Sequence, residues 1–189
     1  ELYRALQRVT GIPNIVDTSH YPLRARELRA LEGIDLHLLF LVRDPHHVVA
    51  SLGREDVPER TFGVFTANAY LWLTYLISVL VFLRHPRDRR LFVRHEQFVA
   101  DPAGVMSQIL DSCCDRYALP SDLSSLRTGT PFHGNRLVHS EVVALAASAA
   151  GPVHRAPLTT VLQLPWKLVF ALLRPAVRVG APSARSGAR

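Results

Sequence analysis

The amino-acid sequence predicts an α/β fold in which a parallel sheet lies beneath covering helices. Residues 36–42, LHLLFLV, are almost continuously apolar with no alternation, the pattern of a strand buried on both faces of a parallel sheet. That run ends at Arg43-Asp44-Pro45, and a second short apolar run at residues 91–93 is followed by Asp101-Pro102. Strand, Asp-Pro and helix therefore recur in the same order, as in a βαβ unit. The 189 residues are 48% apolar and 20% charged, enough for one core, which excludes disordered, collagenous and disulfide-scaffold classes.

The elements follow in chain order. ELYRALQRVTG, residues 1–11, reads as the end of a helix, so the expectation is a chain lacking its N-terminal part. Residues 14–16 form a short apolar run that stops at Asp17, and residues 18–22 make a polar turn. Leu23, Leu28 and Leu31 have helical spacing up to Gly33. After the 36–42 strand, Asp44 is a helix cap and Pro45 occupies the first helical position, where its missing N–H costs nothing. Residues 61–83 contain no charge, a length that as a helix crosses a bilayer core of about 30 Å. Asn68, Thr74, Tyr75 and Ser78 within it, and its position between two strands of one sheet, favour a fully buried core helix.

Asp101-Pro102 opens a helix reaching about Leu119, and residues 120–140 form a loop rich in Ser, Gly, Pro and Thr. A second apolar helix, 158–179, is interrupted by Pro165 and Pro175. The expected organisation is one domain over 1–150, an apolar, basic helical extension over 151–182 and a disordered tail over 183–189. No repeat of solenoid length occurs.

Charge narrows the function classes. Six of the 22 basic residues lie in 142–189, which holds no acid, so residues 1–141 carry 16 charges of each sign. The basic excess sits on a tail rather than on the folded body, and no nucleic-acid partner is expected. The extension can press its apolar side onto other helices or onto an anionic membrane surface. Cys113 and Cys114 are adjacent, which cannot staple distant segments and matches no zinc spacing. A reducing, cytoplasmic compartment is the expectation. His46 and His47 are neighbours on a helix start, cannot both face one metal, and have no carboxylate or cysteine at ligand spacing, so no metal is expected.

The informative segment is LVRDPHHVVAS, residues 41–51. A cation at the carboxyl end of a buried parallel strand, followed at once by a helix start, forms an anion site: Arg43 and the helix N–H groups face one crevice. Ser51 lies two turns along that helix on the stripe of Asp44 and Val48, where its hydroxyl suits a phosphate on the helix flank. A purely structural reading, with Arg43 paired to a surface acid and Ser51 simply packed, stands beside it.

VRDP with Ser at the eighth position resembles the 3′-phosphate-binding segment of sulfotransferases that use 3′-phosphoadenosine 5′-phosphosulfate, PAPS. VDTSHYP, residues 16–22, resembles the V-D-S-S-K-x-P segment of the bacterial members. LFVRHEQFVADP, residues 91–102, resembles their hydrophobic-V-R-Y-E-D-L-x-x-D-P segment, and GNR, residues 134–136, is similar to their Gly-Asn-x-x-Arg loop. NAYLWLTYL stands where the family's long helix precedes the R-Y-E strand. The four matches run in family order over residues 15–136.

The resemblance implies a P-loop-NTPase-like three-layer sandwich with a parallel sheet, and a soluble setting for the 61–83 helix. It implies PAPS as co-substrate and sulfuryl transfer to a hydroxyl or amine on a small-molecule, glycan or lipid acceptor. The donor's 3′-phosphate would meet Arg43 and Ser51, with His95, Asn135 and Arg136 also facing the nucleotide. Departures accompany the matches. The family's Gly-rich phosphosulfate loop has no counterpart in this sequence, so the chain on its own is expected to be inactive. The family tyrosine is His95, and the arginine of the Gly-Asn loop is displaced to Arg136. The family lysine is His20, whose neutral imidazole is a candidate general base; a solvated loop histidine is the plainer reading. Two alternatives remain open: a non-catalytic binding module of the same fold, membrane-associated through the basic C-terminal helix, or a nucleotide kinase with a Walker-type lysine upstream.

Overall fold

Two parallel strands, joined by a long helical crossover, organise the chain. The computed structural model describes residues 2–18, 21–53, 62–113, 125–127, 142–144 and 157–173. Helix α1 (Leu2–Thr10) ends at Gly11, whose φ of 68° lies in the left-handed region that glycine adopts without cost. The apolar run at 14–16 forms no regular element, and Val16 is 87% exposed: three residues with no partner strand do not make a strand. Helix α2 (Pro22–Arg29) starts on proline and buries Leu28.

Strand β1 (Leu38–Val42) leads into α3 (Pro45–Leu52), and α4 (Val64–Leu83) returns the chain to β2 (Arg90–Arg94) after one turn of 3-10 helix. The strands pair in parallel, with Leu38 opposite Arg90 and Val42 opposite Arg94. Helix α5 (His95–Ala100) follows β2 directly, an element the sequence reading did not foresee, and α6 (Pro102–Cys113) starts at the expected Asp-Pro. Strands β3 (Ser125–Arg127) and β4 (Val142–Ala144) form a separate antiparallel pair. Helix α7 (Pro157–Leu172) runs without a break through Pro165, which lies on its exposed side. The expected disordered tail lies outside the described residues.

The chain is thus mixed α/β, mostly helical, around a two-stranded parallel sheet. On one face Phe40, Val42 and Phe92 meet Val49 of α3, Tyr75 and Phe82 of α4, and Phe170 of α7. The aromatic rings interlock there, with Phe40 5.7 Å from Phe92 and Phe92 5.9 Å from Phe170. On the other face Leu91 and Val93 pack on Phe98 and on Val105 and Ile109 of α6. Helices therefore cover both faces of β2 but only one of β1: Leu39 and Leu41 stay 46% and 52% exposed. The expectation of a strand buried on both faces fails for β1, because α5 and α6 lie over β2 alone.

The carboxyl end of α4 is held by arginines. The Arg90 guanidinium donates to the carbonyls of Phe82 and Leu83 at 2.7 and 2.5 Å, and Arg29 donates to Arg84 O at 2.8 Å. Cations there add donors to carbonyls of the last turn and oppose the negative end of the helix dipole. Only 28% of the most apolar stretch of α4 is buried, so it is a half-open covering helix rather than the fully buried one expected.

Candidate functional site at the carboxyl edge of the sheet

Because Val42 and Arg94 are register partners, the next residues along each strand, Arg43 and His95, emerge together at the carboxyl edge. Arg43 is exposed and makes no ion pair among the described residues, which disfavours the purely structural pairing with Asp44. His95 is half-buried, and its pKa is lowered by burial first and then by the Arg43 cation, with a smaller contribution from His47; Glu96 opposes them. Its ring is therefore held toward the neutral form.

The start of α3 is built as the sequence predicts. Asp44 Oδ1 accepts from His46 N at 2.8 Å, and Pro45 occupies the first position. A second carboxylate completes it: Glu96 Oε1 accepts from Asp44 N at 2.8 Å, which ties β2's exit to β1's exit. The amide of His47 bonds to Asp44 O at 3.0 Å. The N–H groups expected to face an anion are thus already engaged within the chain. What the crevice offers an anion is the Arg43 side chain and, two turns along α3, the exposed Ser51 hydroxyl.

Tyr75, which no motif in the sequence marks, lies beneath Arg43. It is 6% exposed, and its hydroxyl donates to Arg43 O at 3.4 Å. Burial, then the Asp44 and Glu96 carboxylates, push its pKa above the ordinary phenol value, so it remains a neutral donor. Its helical spacing from Leu71 and Val79 marks it as inward-facing, but nothing local marks what it touches.

Among the predicted site residues, the structure brings Arg43 and His95 together and leaves Ser51 on the adjoining helix flank. His20, Asn135 and Arg136 lie outside the described residues. The described residues contain no cluster of three or more His, Cys, Asp and Glu side chains fit for a metal. Among the described residues, two shallow concavities lie at the opposite, amino end of the strands. One is lined by Arg26, Arg29, Leu38 and His85, the other by His37, Arg90, Leu91 and Cys113.

Fold and site define a class: a small parallel α/β unit with a cation and a neutral histidine at the carboxyl edge of its strands, where such sheets bind ligands. No protein-family model, curated protein or solved structure matches the chain.

Proposed function

We propose that the chain carries the donor-binding part of a PAPS-dependent sulfotransferase, which transfers a sulfuryl group to a hydroxyl or amine acceptor. The observation that supports this reading is the meeting of Arg43 and His95, far apart in sequence, at the carboxyl edge beneath an Asp-capped helix. Both belong to segments that resemble nucleotide-facing segments of that family.

Arg43 and Ser51 fit the distal 3′-phosphate of the donor: one is an unpaired cation among the described residues, the other an exposed hydroxyl. Their energy serves positioning rather than bond change. The neutral His95 ring suits stacking or hydrogen bonding with a nucleobase better than it suits a second phosphate. Asp44 and Glu96 occupy the α3 amides, so the phosphosulfate end of the donor is not assigned to that helix start. When bound, PAPS supplies the activated sulfuryl group. Transfer needs an in-line acceptor, cations at the leaving oxygens and a base, for which His20 is the proposed base and Asn135 and Arg136 the proposed closing loop.

The test is titration calorimetry with adenosine 3′,5′-bisphosphate. Charged hydrogen bonds are worth about 1.5–3 kcal/mol, so Arg43→Ala is expected to weaken binding by roughly 10- to 100-fold. Ser51→Ala should weaken it less. Equal affinity in wild type and Arg43→Ala would overturn the reading.

A further inference from the structure

The helical layer formed by α4 and α7 buries a polar cluster between its helices, beside an aromatic core, and leaves leucines on its outer side. Asn68, Thr159 and Gln163 are at most 1% exposed and bond to one another between the helices. Asn68 Nδ2 donates to Thr159 Oγ1 at 3.1 Å, and Gln163 Nε2 donates to Asn68 Oδ1 at 2.9 Å. Trp72 Nε1 adds a 2.7 Å bond to Leu162 O. The outer faces carry leucine instead: Leu73, Leu76 and Leu80 of α4 are 59%, 43% and 42% exposed, and Val161, Leu164 and Leu168 of α7 are 70%, 54% and 61% exposed. Polar side chains used as glue between helices, with apolar ones outward, is the arrangement of helices that face lipid. An exposed apolar face of this extent marks an interaction surface.

Charge around the face selects the occupant. Asn68 meets Thr159 and Gln163, while Tyr75 meets Trp166 and Phe170, so the helices run in the same direction and their carboxyl ends coincide. At that end α4 gives way to Arg84 and the exposed Arg87, while Arg89 is paired to Asp35 at 2.6 Å with Asp88 beside it; the sequence after α7 continues to Arg174 and Arg178. Residues 61–83 and 142–189 contain no acid. We infer that the outer face of α4 and α7 seats on an anionic lipid surface.

A second copy would bring an outer face whose α4 and α7 carry no acid, and would offer Arg84 and Arg87 no partner from those helices. The pair lies on the bilayer rather than across it. Phe82 and Phe170 on the inner faces are packed against Phe92 of the sheet, and the 16 residues of α7 reach only about 24 Å. Leucines then enter the acyl boundary while arginines meet headgroups. This inference is independent of the nucleotide at the carboxyl edge.

The test is sedimentation of the full chain with phosphatidylcholine vesicles, with and without phosphatidylglycerol. Binding is expected to be at least about tenfold tighter with the anionic lipid and to weaken as salt rises. Leu76→Ser combined with Leu168→Ser, both at exposed positions, is expected to abolish sedimentation with an unchanged circular-dichroism spectrum. Failure to bind either vesicle would overturn the inference. So would full binding by the double variant, or a concentration-dependent dimer that forms in place of vesicle binding.

Discussion

His85 shows how one side chain links burial to pH. It is 5% exposed, its Nε2 lies 2.9 Å from Leu36 O, and its buried Nδ1 has no hydrogen-bond partner among the described residues. Burial is the largest cause lowering its pKa, followed by the nearby Arg29, His37 and Arg89; the bond to Leu36 opposes them. The folded pKa lies below the unfolded value of about 6.5, so the unfolded chain takes up this proton first as pH falls. His95, also lowered, acts in the same sense. Their contribution is complete above about pH 6.5 and shrinks below it until the folded pKa is reached. Thermal unfolding should therefore show a lower midpoint at about pH 5.5 than at about pH 7.5; a midpoint that rises on acidification would contradict this assignment. At this scale Arg43, Asp44 and Pro45 were legible in the sequence because a strand exit and a helix cap are local events. The contacts of Tyr75 and Glu96 were not, since their partners Arg43 and Asp44 are remote in sequence and met only through the strand pairing.

Among the elements, α4 was the hardest to read. Its length was legible, as an uncharged run between Gly63 and Arg84. Its exposed side was not, because the residues on both faces are apolar and hydropathy alone cannot choose between them. Asn68 and Tyr75 seemed to argue against contact with lipid, yet the structure turns both inward, toward α7 and the sheet. This makes Asn68 a test of the layer. Replacing it with alanine leaves the buried Gln163 amide only its 3.5 Å contact with the main-chain carbonyl of residue 68 in place of the 2.9 Å bond, and Thr159 without its donor. Asn68→Ala should lower stability by about 1–3 kcal/mol in urea unfolding, the cost of stranding buried polar groups. A loss within experimental error would mean that the two helices are not joined as described. α5 escaped the sequence reading for a different reason: its six residues are too few to show periodicity, and its start on β2 is set by the strand above it.

For the whole molecule, the parallel pairing of β1 and β2 was legible from two apolar runs, each followed by Asp-Pro. The depth of the layers was not, because a run such as Leu38–Val42 looks the same whether one face or both are covered. The open face of β1, at Leu39 and Leu41, is where this distinction falls. The proposed nucleotide edge lies at one end of the sheet, and the proposed lipid-facing helical layer lies on its side. The most direct measurement compares adenosine 3′,5′-bisphosphate with adenosine 5′-monophosphate in calorimetric titrations of the wild-type chain. If Arg43 and Ser51 read a 3′-phosphate, the bisphosphate binds at least about tenfold tighter, from one charge-assisted contact. Equal affinity for the two nucleotides, or no binding of either, would contradict it.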